Sequence, residues 1–338
     1  MIRIAINGFG RIGRTAFKVA QDLHSNELEI VAINDLMAPD VLAHLLKYDS
    51  VYGIYSKKIS SDEKNLIVDD KKIPITTERQ PENLLWQSFS VDVVIESTGR
   101  FTKSDLAAAH IKAGAKRVVI SAPSDDVPTH ILGVNPYDGK AAVINNGSCT
   151  TNCVGPVTAV VHTNFKIQKA FMTTIHAYTA EQDLIDGPPP PLYSDLRRAR
   201  AAAVNIVPTT SGAAVAVTKA FPDVSGKFDS AALRVPVVCG SVSDFTFLVS
   251  RKTTVEEVNQ VFKQVVDNPQ YLGILAVTED PIVSTDIIGR SESAIVDLLS
   301  TKVVDGDLVR ILAWYDNEWG YANRLVEQVI EVGKSISS

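Results

Sequence analysis

Through the first half of the chain, short apolar runs alternate with longer stretches in which apolar side chains recur every three or four positions. The runs Ile2 to Ile6, Glu29 to Ile33, Val91 to Glu96, Val118 to Ile120 and Ala141 to Ile144 are rich in valine and isoleucine. That alternation predicts βαβ units around a parallel sheet. Between Val51 and Thr77 the pattern shortens, with a turn at Asp69 to Lys71, and predicts a small antiparallel insertion beside the sheet. Beyond Cys149 the strand-like segments become longer and fewer: Ala170 to Ile175, Ala231 to Val238, Val242 to Val249 and Val309 to Tyr315. The helical pattern "TVEEVNQVFKQVVD" falls among them, which predicts an α+β arrangement with a mixed or antiparallel sheet. From Tyr321 to Val332, Leu325, Val326, Val329 and Ile330 share one helical face and predict an amphipathic closing helix.

Composition narrows the class. A chain of 338 residues exceeds the usual size of one hydrophobic core, so two domains are expected. Charged residues at 21% and a mean hydropathy of +0.08 describe an ordinary globular protein. A net charge of -6 argues against nucleic acid as the main partner. No segment approaches eighteen consecutive apolar residues, so no membrane span is expected. The start "MIRIAINGFG" lacks a leader pattern, and the expected location is cytoplasmic. Three cysteines, Cys149, Cys153 and Cys239, cannot all pair. The C-x-x-x-C spacing without a nearby histidine or third cysteine fits no common zinc site, so no metal is expected.

"NGFGRIG" places Gly8, Gly10 and Gly13 as G-x-G-x-x-G between an apolar strand and a helical pattern. Asp35 follows at the end of the next strand, the spacing of a dinucleotide fingerprint. Gly8 allows the tight turn, Gly10 lets backbone approach a pyrophosphate, and Gly13 lets helix and strand pack. The backbone N–H groups near Arg11 and Ile12 then face phosphate at a helix N-terminus. Asp35 accepts from ribose hydroxyls and repels a 2′-phosphate, which selects NAD over NADP; its bland alternative is a strand-end cap of the following turn. The predicted architecture is α/β. A Rossmann-type doubly wound sheet spans residues 1–149, completed by a closing segment 317–338, and an α+β catalytic domain with a mixed or antiparallel sheet spans 150–316.

The stretch "NNGSCTTNCVGP" holds two cysteines four apart. If a helix runs from about Thr150 to Val161, Cys149 lies at its N-terminal edge and Cys153 one turn inside. A helix terminus stabilises an anion by roughly 0.3 to 1 kcal/mol, which moves a thiol pKa by less than one unit. An abundant thiolate therefore needs a further partner, and a histidine is the usual one. His176 is the best candidate, at the end of an apolar strand entering the long loop from Thr179 to Ala203. A strand-end histidine bonded to backbone is the alternative. His24, His44 and His110 read as helix-surface residues, and Cys153 as a packed thiol.

"INGFGRIGR", "ESTGRF", "SCTTNC", "RVVISAPS", "DLRRARAAA" and "WYDNEWGY" together resemble the phosphorylating glyceraldehyde-3-phosphate dehydrogenases over essentially the whole chain. The resemblance implies that Cys149 attacks an aldehyde carbon with His176 as base, giving a hemithioacetal and then a thioester that inorganic phosphate cleaves. It implies that Thr179 and Arg234 bind the substrate phosphate. Ser148, Thr150, Arg198, Ser211 and Gly212 would then surround the attacking phosphate, with Arg234 able to serve both, while Arg197 and Arg200 pair structurally. It adds Arg79, Ser121 and Asn317 to the NAD contacts, although Asn317 also reads as a turn residue, and it implies a homotetramer. The same chemistry would serve erythrose 4-phosphate, and a non-catalytic dinucleotide-binding scaffold is the rival of another class. Ser211 stands where the family usually has Thr, and Gly147 where Ala is frequent. "GPPPP" (Gly187 to Pro191) and "TAEQ" after Tyr178 also depart from the pattern and bear on coenzyme affinity and subunit contacts.

Overall fold

A computed structural model of the chain describes residues 1–189 and 195–336. The end of the "GPPPP" run, Pro190 and Pro191, lies outside the described residues. The chain divides into two compact units, one of Met1–His130, Pro136–Gly147 and Ala322–Ser338, the other of Ile131–Asn135 and Ser148–Tyr321.

In the first unit an eight-stranded sheet runs in the order Val143–Asn145, Arg117–Ile120, Val93–Glu96, Ile2–Asn7, Leu28–Asn34, Lys71–Thr76, Asn65–Val68, Ile59–Ser61. The first six strands are parallel. The last two close an antiparallel meander, the insertion expected from sequence. Its turn uses Asp69 and Asp70 at φ 48° and 68°, the left-handed pair whose twist suits a two-residue hairpin loop. The insertion joins the main sheet through Ile33 and Ile75. The chain begins on the central strand Ile2–Asn7, proceeds to one side, then returns to Val93–Glu96 on the other. Such a reversal leaves a crevice at the carboxyl ends of the strands, where ligands of doubly wound sheets bind.

His110 corrects the sequence reading. It is fully buried, not on a helix surface. Trp86 Nε1 donates to its Nδ1 at 2.9 Å, so its Nε2 carries the proton and donates to Glu96 Oε2 at 3.0 Å. Glu96 also accepts from Asn7 Nδ2 at 2.5 Å and from Thr98 N at 2.8 Å. A buried carboxylate is tolerable only with this many donors.

The second unit is a mixed sheet in the order Val207–Thr210, Phe228–Val235, Ile167–Ala177, Ser241–Val249, Leu308–Tyr315, Ala294–Asp297, Leu275–Thr278. Along Ser241–Val249, Phe245, Phe247 and Val249 are buried while Thr246 is exposed, the alternation of a strand with one face on a core. That core holds Val154, Val157, Val161 and Phe165 from the helix Cys149–Phe165, with Val217, Val258 and Phe262 from two further helices. The helix therefore belongs with this sheet. Its cap Ser148 and Cys149 fall in the second unit, so the partition lies between Gly147 and Ser148 and not after residue 149. The helix Trp319–Lys334 begins earlier than the periodicity suggested, and the segment to Tyr321 is likewise grouped with the second unit. Gly320 explains part of this, because a Cβ there would meet the carbonyl of Glu292 at 2.8 Å.

Candidate active site

Cys149 is the first residue of its helix. Ser148 precedes it with extended backbone and accepts from Thr151 N at 3.1 Å, a serine N-cap. Gly147, at φ 65°, turns the chain into the cap, which a larger residue would resist. Thr150 is buried and its hydroxyl meets Tyr315 OH at 3.0 Å, which in turn meets Thr174 Oγ1 at 2.7 Å. Cys153, one turn on, is fully buried in the core with its Sγ 4.0 Å from Ala313 O. Burial pushes that thiol far up, and it packs as the sequence suggested.

His176 is buried near the end of the strand Ile167–Ala177. Its Nδ1 lies 2.7 Å from Ala177 O and 3.2 Å from Arg234 Nη1; the nearer partner is a carbonyl, which only accepts, so Nδ1 carries the proton. Nε2 is left as a lone pair 3.4 Å from Cys149 Sγ. Burial pushes the Cys149 thiol up to about 11 against the pull of Arg234 and Thr150. It pushes the His176 imidazole down to about 3, with Arg234 adding to the effect. Each group alone resists charge, so the thiol ionises only by handing its proton to Nε2. The two groups are charged only together, as a thiolate–imidazolium pair.

Strand register supplies the next residue. His176 pairs directly with Arg234 on the parallel strand Phe228–Val235. Arg234 Nη1 donates to Ala177 O at 3.1 Å and Thr179 Oγ1 at 2.8 Å. Arg198, also buried, donates through Nε to Thr209 Oγ1 at 2.9 Å and through Nη2 to Thr210 O at 3.4 Å. Thr210 leads into Ser211 and into Gly212, the cap of the helix Ala213–Ala220. Arg197 and Arg200 point elsewhere, to Asp195 at 2.9 Å and Asp186 at 2.7 Å. The site thus links Cys149, His176, Arg234 and Thr179 in a chain of direct contacts, in that order.

Glu181 was not singled out as a site residue from sequence, yet its Oε1 lies 3.2 Å from both Arg198 Nη1 and Arg234 Nη2. Thr209 and Tyr315 were also missed as partners of site residues. The usable signal was local: an acidic residue two positions after Thr179 in an otherwise phosphate-suited loop. Asn317 is buried, and its Oδ1 accepts from Gly240 N and Ser241 Oγ, both at 3.0 Å. Those donors decide which end of the amide is the NH2.

The first unit carries a cleft of about 670 Å³ lined by Asn7, Gly8, Gly10, Asp35, Arg79 and Thr98 among others. It sits at the carboxyl ends of the strands flanking the reversal point. Gly8 has φ 92°, and a Cβ on it would meet Thr98 N at 2.7 Å. A Cβ on Gly13 would meet Gly8 O at 2.1 Å, whereas Gly10 faces open space. The loop therefore leaves its room at Gly10, as a pyrophosphate cradle requires. The Arg11 side chain is drawn to Asp49 at 3.0 Å, so a phosphate contact there would come from its backbone and that of Ile12. Asp35 accepts from Phe9 N at 2.7 Å and Met37 N at 3.0 Å, so it caps the turn and also lines the cleft. Ser121 lies just beyond the strand Arg117–Ile120 and is not among the lining residues.

Comparison with known proteins decides the family. Residues 2–104 match the model of the glyceraldehyde 3-phosphate dehydrogenase NAD binding domain, and residues 148–317 that of its C-terminal domain. The chain belongs to the glyceraldehyde-3-phosphate dehydrogenase family. Curated glyceraldehyde-3-phosphate dehydrogenases of Borreliella burgdorferi and Geobacillus stearothermophilus are each 48% identical to it, over 335 and 331 residues. Those alignments cover 96% of this chain in both cases, and 98% and 96% of the relatives. Glyceraldehyde-3-phosphate dehydrogenase 2 of Streptomyces avermitilis is 49% identical over 339 residues, covering 99% of both chains. The family's C-terminal domain starts at Ser148, the residue at which the second compact unit resumes. Among the described residues no helix is long and apolar enough to cross a membrane.

Proposed function

We propose that the chain oxidises D-glyceraldehyde 3-phosphate to 1,3-bisphosphoglycerate with NAD and inorganic phosphate, in glycolysis and gluconeogenesis. The observation that carries this is the Cys149 Sγ to His176 Nε2 contact of 3.4 Å, with Arg234 in register beside the histidine. Nε2 accepts the thiol proton as Sγ bonds to the aldehyde carbon, then returns it to the former carbonyl oxygen to give the hemithioacetal. Nε2 takes that hydroxyl proton again as the carbon is oxidised to the thioester. When bound, NAD supplies the hydride acceptor for this oxidation. A phosphate oxygen then attacks the thioester carbon, and Cys149 leaves as a thiolate that regains its proton through His176.

Thr179 and Arg234 suit the substrate's own phosphate, since both already meet at 2.8 Å. Arg198, Ser148, Thr150, Ser211 and Gly212 suit the attacking phosphate; the Thr150 hydroxyl keeps bonding capacity beyond its contact with Tyr315. Gly8, Gly10, Gly13, Arg11, Ile12, Asp35 and Arg79 fit the dinucleotide, with Asp35 disfavouring a 2′-phosphate. Ser121 and Asn317 are assigned to the nicotinamide side by resemblance. The exposed side chains of Leu184, Ile185, Leu196, Val204 and Ile206 on one long loop support burial against further copies of the chain, in a homotetramer. The expected location is the cytoplasm.

NAD reduction by the purified protein with glyceraldehyde 3-phosphate, with and without inorganic phosphate, tests the reading. Sustained turnover that requires phosphate and prefers this aldehyde over erythrose 4-phosphate is expected. An inactive protein that still binds NAD would refute it, and light scattering at a monomer mass would refute the assembly.

A further inference from the structure

Glu181 lies between the two arginines assigned above to the two phosphates. One oxygen, Oε1, faces Arg198 Nη1 and Arg234 Nη2, each at 3.2 Å. Neither contact is the two-pronged fork that arginine makes elsewhere in this unit, where Arg310 holds Asp244 at 2.8 Å through both nitrogens. The arginine side chains are 8% and 13% exposed and tied to the backbone and threonines around them, whereas Glu181 is 27% exposed. The carboxylate is therefore the partner that can move to water, and the guanidiniums are the ones that stay.

A phosphate dianion reaching either arginine meets a carboxylate already bound there. Two anions on one guanidinium repel, so phosphate must displace Glu181. Because the same oxygen serves both arginines, its departure from one frees the other. We propose that Glu181 is a positioning residue that takes the place of phosphate on the two arginines and couples the two phosphate seats. The unfavourable displacement falls on whichever phosphate binds first, and the second binds an arginine already cleared. By linkage, each phosphate then tightens the other by the same factor, over and above their mutual repulsion. This rests on the assignment of Arg198 and Arg234 to phosphate under the proposed function.

Calorimetric titration of the full-length protein with inorganic phosphate, alone and with saturating glycerol 3-phosphate, tests it without any turnover. In Glu181→Gln, phosphate alone should bind roughly two- to fivefold more tightly, the span of a partly exposed ion pair. The ratio of affinities with and without glycerol 3-phosphate should fall by that same factor. Glu181→Ala carries the same expectation should the glutamine variant misfold. Unchanged phosphate affinity in a folded variant would overturn the proposal. Weaker phosphate binding would overturn it too, since it would make Glu181 a support for the arginines. Failure of the wild-type chain to reduce NAD with the aldehyde would instead count against the proposed function, whatever the titrations show.

Discussion

Replacing His176 by asparagine isolates the step on which the chemistry depends. Without the ring, burial still outweighs the pull of Arg234 and Thr150, and a thiol held at about 11 is ionised at pH 7 in only about one part in ten thousand. An imidazolium 3.4 Å from sulfur attracts the thiolate by about 5 kcal/mol at an effective dielectric of about 20, worth more than three pK units. That offsets much of the cost of burying the charge. Alkylation of Cys149 by iodoacetamide at pH 7 should therefore be slower in His176→Asn than in the wild type, by at most about 10³-fold, because charging a buried imidazole takes back part of that attraction. The thiol's folded-state pKa is raised, so its anion is scarce below that value and appears as pH climbs through it. The deficit should accordingly shrink toward pH 11, where hydroxide removes the proton unaided. Cys153 and Cys239 are fully buried, so the reaction reports on one sulfur. NAD reduction should fall by about 10²- to 10⁴-fold, the span of a general base. Equal alkylation rates at pH 7 with superimposable pH profiles would show that the 3.4 Å contact carries no proton.

Cys149→Ser should abolish aldehyde oxidation while NAD still binds, as fluorescence titration would show, and Cys153→Ser should keep turnover, because the second sulfur lies in the core. Asp35→Gly should shift the ratio of kcat/KM values toward NADP; the loss of its bonds to Phe9 N and Met37 N should also cost about 1–2 kcal/mol, readable by urea unfolding. An unchanged coenzyme ratio would count against Asp35 as the discriminator. His110→Phe strands the Trp86 indole N–H and the Glu96 carboxylate in the core, at about 2–4 kcal/mol, and should lower Tm by about 3–6 °C. It should also weaken NAD binding, since Asn7 and Thr98, which donate to Glu96, line the cleft. An unaltered Tm would mean the network is not under this constraint.

What the sequence made legible is what physics confines to one turn or one strand. The glycine spacing at residues 8, 10 and 13, the serine before Cys149 and the alternation along Ser241–Val249 each act on neighbours a few residues away, so their consequences can be read in order. His110 misled because the same helical spacing suits a surface and a buried polar network. The difference lies in Trp86 and Glu96, whose nearness comes from sheet order. Arg234 beside His176 is a fact of register between parallel strands 58 residues apart in the chain, and a shift of one position would turn that side chain to the other face. Glu181 shows the same limit. In the sequence "TAEQ" reads as a variation on a loop that bears on coenzyme and subunit contacts. In the fold its carboxylate meets two arginines brought from residues 198 and 234. The contact between Cys149 and His176 could be anticipated because thiol and imidazole are few. The carboxylate between Arg198 and Arg234 could not, because 39 acidic residues are candidates and only folding says which one faces both arginines.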